Sequence, residues 1–204
     1  MTGPTSPTGE APAPHGERRK GRQRRAPRPL DRASLDQLAL GYAARFATTR
    51  VRLARYLGRK LAERGWDGEP PPDIAALVER LAELGYVNDG DYALARARLL
   101  GRRGFGQRRV AADLRAAGIG DDDGAAAREL AAGAAVEAVL RLVERKRIGP
   151  FAASGWDDPA QRRRWLGALA RAGHPPALAH HLVRLCNPLQ IDKEVLAALV
   201  NSGA

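Results

Sequence analysis

The sequence is poor in cysteine and has no long apolar run, and these two absences exclude several classes of protein. Cys186 is the only cysteine in 204 residues, so the chain cannot form an intramolecular disulfide, and a cysteine-based zinc site is not expected. No run of about 18 apolar residues occurs, and the proline-rich start has no apolar signal region. We therefore expect no membrane anchor and a location in the reducing cytoplasm.

Enzyme signatures are also missing. The sequence has no glycine-rich phosphate loop, no strand that could precede a dinucleotide-binding motif, and no His-Glu pair at zinc-binding helical spacing. His174, His180 and His181 lie near Cys186, but adjacent histidines point about 100° apart on a helix and cannot both face one ion. The run Asp121–Asp123 is better explained as a helix N-cap favoured by the helix dipole. We predict no catalytic residue, no metal and no cofactor.

The sequence contains instead the apolar periodicity of amphipathic helices. No alternating pattern of β-branched residues competes with it, so the predicted fold class is all-α. Order is predicted to begin at Ser34, which has capping-box spacing to Gln37. The predicted buried stripes include Leu35, Leu38, Tyr42 and Phe46; Tyr92, Ala95 and Leu99; and Val110, Leu114 and Ala117.

Four short segments share one pattern, a leucine followed four residues later by glycine and then a bulky residue. They are "LAERGW", "LAELGY", "LRAAGI" and "LARAGH", with Gly65, Gly85, Gly118 and Gly173. A glycine directly after a helix is the usual left-handed C-cap. Gly65, Gly118 and Gly173 are 53 and 55 residues apart, which predicts three diverged units of about that length.

These signals predict three tandem three-helix repeats in an elongated array, because units this small must lean on their neighbours. The predicted helices are 35–47, 51–65, 73–85, 90–103, 106–118, 122–132, 134–148, 159–172 and 175–186. The predicted divisions are a disordered basic tail at 1–33, repeats at 34–86, 87–133 and 134–186, and an extension at 187–204 with a possible short helix.

Positive charge is the strongest functional signal. The formal net charge is +11, which indicates a polyanion or an acidic groove as the partner, although arginine-rich composition could also give a basic surface without one. Residues 96–115 hold seven arginines and only one acid, Asp113. The predicted contact residues are Arg96, Arg98, Arg102, Arg103, Arg108, Arg109, Arg115, Arg145, Lys146 and Arg147. The predicted non-specific DNA contacts in the tail are Arg18, Arg19, Lys20, Arg22, Arg24, Arg25 and Arg28.

The segment "GYVNDGDYALARARLLGRRGFGQRR" has the form of a DNA-reading helix-turn-helix. Asp89 and Asp91, however, would be repelled by phosphate at the start of a recognition helix. We expect them to be N-caps of a packing helix, with Tyr92 starting its buried stripe. The Glu137–Arg141 spacing is equally compatible with a self-paired helix surface and with a contact face.

The order of motifs resembles the RecX family, bacterial regulators that bind the RecA recombinase. The matching stretches are "YAARFATTRVRLARYLGRKLAERGW", "LAELGYVNDGDYALARARLLGRRGFGQRRVAADLRAAGI", "RKRIGPF" and "LGALARAGHPPALAHHLV". The resemblance implies three tandem three-helix repeats and no catalytic residues. It also implies a protein that lodges in the groove of the RecA filament on DNA, blocks its extension and suppresses ATP hydrolysis, strand exchange and co-protease activity, which would modulate DNA repair and the SOS response.

Three features depart from a compact family member: the loop "GWDGEPPPD", the arginine-rich tail, and the terminal segment "PLQIDKEVLAALV". The expected partners are a RecA filament and single- and double-stranded DNA bound without sequence preference, with the protein monomeric. Two other functions remain open. One is a plain nucleic-acid-binding regulator whose arginines contact only phosphate, and the other is a helical adaptor for a different acidic protein.

Overall fold

The computed structural model describes residues 28–201, and within them the protein is built from helices, as predicted. One isolated backbone bridge, between Leu30 and Trp66, is the only β-type pairing in this range. The predicted disorder of the first 27 residues lies outside the described part of the chain. The helices are α1 (Arg32–Arg45), α2 (Arg50–Arg64), α3 (Ile74–Glu83), α4 (Asp89–Arg102), α5 (Gln107–Ala117), α6 (Asp121–Gly133), α7 (Ala135–Lys146), α8 (Pro159–Arg171), α9 (Pro176–Leu182) and α10 (Lys193–Asn201).

The ordered chain begins earlier than predicted. Helix α1 starts at Arg32, and the carboxylate of Asp31 caps it by accepting a hydrogen bond from the Ser34 amide at 2.8 Å. Leu30 is fully buried, and its amide donates to the Gly65 carbonyl at 3.0 Å. The predicted capping role of Ser34 is therefore wrong, because Asp31 caps α1. The predicted end of the tail at residue 33 lies within the folded chain, because Leu30 is fully buried.

The four glycine signals are confirmed as positions of positive φ. Gly65, Gly85, Gly118 and Gly173 have φ of 80°, 77°, 81° and 85°. At Gly118 the backbone is left-handed, and the Ile119 amide donates to the Leu114 carbonyl at 3.0 Å, so the bulky residue folds back onto the last turn. Gly65 does not form the predicted left-handed cap, because its ψ is 174°. The chain after Gly65 leaves the helix and runs beside Leu30, whose amide donates to the Gly65 carbonyl.

Between residues 28 and 201, buried apolar side chains form three clusters. The first core comprises Leu30, Leu35, Ala39, Leu53, Leu57, Leu77, Val78, Leu81 and Val87. The second core comprises Ala93, Ala97, Leu100, Val110, Leu114, Ala117, Ile119 and Ala127. The third core comprises Ala135, Val139, Leu142, Val143, Ile148, Trp165, Leu169, Ala172, Leu178, Ala179, Leu182, Val183, Leu196 and Val200. The arrangement as three repeats remains a prediction.

Helix α4 buries a different face from the predicted one. The buried residues are Ala93, Ala97 and Leu100, whereas Ala95 is exposed and Leu99 is 37% exposed. Alanines lie on several sides of this helix, so its apolar pattern did not select a single face. The side that is buried carries small residues, which let α4 pack closely against α6.

The C-terminal segment belongs to the third core. Helix α9 ends at Leu182, four residues before the predicted end, and a 3₁₀ turn at Pro188–Gln190 follows. Helix α10 then buries Leu196 and Val200 and packs against α7 and α9. Residues 187–201 therefore complete the apolar packing around α7 and are not an appendage.

Candidate functional site

The turn between α4 and α5 is pressed against the third core. The Gly106 amide donates to the Ala172 carbonyl at 2.8 Å. A Cβ atom on Gly106 would lie 2.5 Å from the Gly173 carbonyl oxygen, and one on Gly104 would lie 3.0 Å from the Cβ of Leu142. Because only glycine permits this approach, the sequence "GFG" fixes the turn against α7 and the end of α8.

Arginines surround this fixed turn. The guanidinium carbons of Arg103 and Arg109 lie 5.9 and 5.8 Å from the centre of the Phe105 ring, within cation–π range. Arg145 on α7 donates through Nη2 to the Arg103 carbonyl at 2.9 Å. We call Arg102, Arg103, Arg109 and Arg145 the turn cluster. All four are exposed, and none forms an ion pair within residues 28–201.

Five other predicted contact residues lie on or directly after α4, α5 and α7, the three helices that carry the turn cluster. Arg98 is exposed one helical turn before Arg102, and Arg115 is exposed near the end of α5. Arg108 is exposed, and its amide donates to the Gly173 carbonyl at 3.3 Å. Lys146 is the last residue of α7 and Arg147 ends that helix in a left-handed conformation, φ 51° and ψ 55°. Both side chains are exposed and extend the positive charge along α7.

Arg96 differs from the other predicted contact residues because its charge is already paired. Its Nε and Nη2 donate to the two carboxylate oxygens of Asp113 at 2.6 and 2.9 Å, a bidentate pair between α4 and α5. This hydrogen bonding lowers the pKa of Asp113 and raises the pKa of Arg96. The single acid of the arginine-rich segment is therefore engaged by Arg96 and forms no ion pair with the turn cluster.

The acids at the start of α4 have a role that the sequence did not reveal. Asn88, not Asp89 or Asp91, is the N-cap, since its side chain accepts from the Asp91 amide at 2.9 Å. Asp89 is buried, and its Oδ1 accepts from the Arg50 amide at 2.9 Å. Burial raises the pKa of Asp89, while the Arg50 amide and guanidinium oppose that shift. The N-cap prediction is wrong because the start of α4 abuts the start of α2.

Arg50 is the residue that sequence reasoning missed. Its guanidinium lies 3.5 Å from Glu79, 3.9 Å from Asp89 and 3.3 Å from Asp123, so it joins α2, α3, α4 and α6. Asp123 therefore serves this junction; the N-cap of α6 is Gly120, and no side chain caps that helix. The sequence signal that could have revealed this junction was the presence of Asp89 and Asp123 in an otherwise basic part of the chain.

His174 lies at the junction between the turn and the third core. It is 2% exposed, and its Nε2 lies 3.0 Å from the Gly104 carbonyl oxygen. Burial lowers the pKa of His174, and the hydrogen bond to Gly104 opposes that shift only in part. His180 and Cys186 are exposed, and no group of three or more potential metal ligands occurs within residues 28–201. His174 therefore serves as a packing residue between the α4–α5 turn and the third core.

These observations define a class of protein: an all-helical, arginine-rich protein whose exposed cations surround a tightly packed turn. Regulatory protein RecX of Mycobacterium sp. (strain JLS) is 34% identical over 161 residues, covering 77% of this chain and 86% of its relative. Regulatory protein RecX of Myxococcus xanthus (strain DK1622) is 31% identical over 181 residues, covering 82% and 93%. The chain belongs to the RecX family of regulatory proteins.

A solved structure supports the all-α fold. The crystal structure of RecX from Lactobacillus salivarius matches with a TM-score of 0.57 at 20% identity, covering 74% of this chain and 94% of that one. No family model matches the chain. Among the helices at residues 28–201, none combines the length and the apolar character needed to cross a membrane.

Proposed function

We propose that the protein binds the RecA recombinase filament on DNA and inhibits filament extension, ATP hydrolysis and strand exchange. The observation that carries this proposal is the turn cluster, which gathers four exposed cations without ion pairs around a turn held against the third core. Membership of the RecX family supports RecA as the partner. The protein acts in the cytoplasm as a monomer and catalyses no reaction of its own.

A rigid cationic turn suits insertion into an acidic groove. Gly104 and Gly106 hold the turn against α7 and α8, so the backbone that carries Arg103 loses little conformational freedom on binding. Phe105, between Arg103 and Arg109, keeps their guanidinium groups over one ring. Such a surface matches a row of carboxylates or phosphates by charge and reads no base sequence. The basic residues of the N-terminal segment add non-specific contacts with DNA phosphates.

The main alternative is a nucleic-acid-binding regulator that contacts phosphate without a protein partner. Arginine-rich helices favour both functions, since phosphate backbone and acidic protein grooves attract the same charge. In the alternative the protein affects RecA only by occupying its DNA. A helical adaptor for another acidic protein also fits the charge, but the family relationship does not favour it.

A titration of RecA ATPase on single-stranded DNA distinguishes these functions. We expect the full chain to slow hydrolysis at concentrations far below those that coat the DNA, because each molecule blocks a filament. The matched measurement is the affinity for the same DNA without RecA, determined at the same salt concentration. Inhibition that appears only when the DNA is largely coated would support the alternative and overturn the proposal.

A further inference from the structure

An acid-lined cleft lies on the first core, on the part of the molecule formed by α1, α3 and the loop that follows α2. Its volume is about 570 Å³. Buried Leu35 and Leu77 line it together with half-buried Trp66, and the proline-rich loop at residues 68–72 forms one wall. The cleft thus combines an apolar lining with room for an extended segment of chain.

The charge of the cleft is opposite to that of the whole protein. Five carboxylates line it against two guanidinium groups, an excess of three negative charges in a chain of net charge +11. The acids are Asp31, Asp36, Asp67, Glu69 and Asp73, and the cations are Arg32 and Arg80. A surface of this composition attracts a cationic segment whose aliphatic stems can pack on the apolar lining.

Not all of these acids are engaged by neighbours. Asp36 pairs with Arg80 at 3.1 Å, and Asp31 and Asp73 cap α1 and α3. Asp67 and Glu69 are exposed, and neither side chain forms a hydrogen bond or ion pair with another residue between positions 28 and 201. Two carboxylates on one wall are therefore available to an incoming cation.

We propose that this cleft binds the protein's own basic segment, residues 18–27. That segment contains six arginines and lysines and no acid, so its charge complements the cleft. It joins the described chain at Arg28, whose carbonyl accepts a hydrogen bond from Arg64 at 2.9 Å, only three residues before Asp31 on the cleft wall. Ten residues span roughly 33 to 36 Å when extended, so the segment reaches the whole cleft.

Tethering makes this contact intramolecular. A short linker gives an effective concentration in the millimolar range, so weak ion pairs suffice to occupy the cleft. The same arginines cannot contact DNA phosphate while they occupy the cleft. The cleft therefore restrains non-specific DNA binding by the basic segment, and DNA competes for that segment. This inference does not depend on the identity of the filament partner.

Trypsin cleavage of the full chain tests the contact, because the segment is rich in arginine. We expect the cleft variant Asp67→Asn, Glu69→Gln to be cut within residues 18–28 several-fold faster than the unaltered protein. The control Glu83→Gln, Glu129→Gln removes two exposed acids elsewhere and should leave the rate unchanged. The difference should vanish at about 1 M salt, where ion pairs are screened. Equal cleavage of the cleft and control variants overturns the proposal.

Carbodiimide cross-linking identifies the occupant, because it joins a lysine amine to a carboxylate in contact with it. Lys20 is the only lysine of the segment, and we expect its cross-link to Asp67 or Glu69 within one chain, independent of protein concentration. A cross-link between two chains that grows with concentration would instead show a second copy's segment in the cleft. Absence of any Lys20 link to the cleft would show that the segment does not contact these carboxylates. Either of these two results contradicts self-docking.

DNA affinity supplies the functional readout. Because the basic segment must leave the cleft before it binds phosphate, the cleft variant should bind duplex DNA several-fold more tightly than the Glu83→Gln, Glu129→Gln control. Both variants change the net charge equally, so general electrostatics cancels in the comparison. Equal affinities would show that the cleft does not restrain the segment.

Discussion

The carboxylate of Asp89 accepts a hydrogen bond from the backbone amide of Arg50 at 2.9 Å, and this contact joins the starts of α2 and α4. Asp89→Ala leaves a part-buried amide without its acceptor, so we expect the free energy of unfolding to fall by about 1 to 3 kcal/mol. Asp91→Ala is the matched control, because Asp91 is exposed two residues later. Urea denaturation of both variants measures the difference, and equal losses would mean that the junction contributes nothing.

The approach of Gly173 to α5 gives a second test. Gly173 and Gly85 both have positive φ, but a Cβ atom on Gly173 would lie 2.3 Å from the Arg109 amide nitrogen, whereas one on Gly85 meets open space. We expect Gly85→Ala to destabilise by about 1 kcal/mol and Gly173→Ala by clearly more, since its collision adds to the backbone strain. Thermal melts compare the two, and similar losses would show that the turn is not tightly packed.

Leu30 marks where the folded chain begins. Removal of residues 1–27 should change the unfolding free energy by no more than about 1 kcal/mol, because the described contacts do not depend on that segment and several-fold occupancy of the cleft contributes only about that much. Leu30→Ala in the full chain should cost about 2 to 4 kcal/mol, because this side chain is fully buried in the first core. Chemical denaturation measures both free energies of unfolding. An unchanged free energy for Leu30→Ala would contradict the burial of this side chain.

His174 predicts a pH dependence of stability. Its folded-state pKa lies below the ordinary 6.5, so the unfolded chain takes up a proton first as the pH falls. This contribution to stability is complete above about pH 6.5 and is lost as the pH falls toward the folded-state pKa. His174→Gln should therefore lose less stability than the unaltered protein between about pH 7.5 and 5. The exposed His180→Gln variant should follow the unaltered protein, and identical profiles for all three would contradict the account.

Local signals predicted much of this fold. The helices from α2 to α8 begin and end within about two residues of their predicted limits, because apolar periodicity and glycine C-caps such as Gly118 act within a few residues. The buried face of α4 was predicted wrongly. Its alanines are compatible with several faces, and only the approach of α6 selects Ala93 and Ala97.

The candidate site was predictable in composition but not in geometry. The sequence places seven arginines in residues 96–115, yet it does not show that Asp113 pairs with Arg96 and forms no ion pair with Arg103 or Arg109. That choice depends on the packing of α4 against α5. The contact of Arg145 with the turn spans 42 residues of sequence and depends on how α7 packs, which no local pattern specifies.

Inhibition of RecA ATPase by the variant Arg102→Glu, Arg103→Glu, Arg109→Glu tests the central claim most directly. The control is Arg55→Glu, Arg163→Glu, Arg164→Glu, which reverses three exposed charges elsewhere. Both variants should melt close to the unaltered protein, because exposed charges contribute little to stability. We predict that the turn-cluster variant loses inhibition while the control retains it, because an acidic groove would repel the altered turn. Retained inhibition by the turn-cluster variant, with loss in the control, would contradict the assignment of this surface.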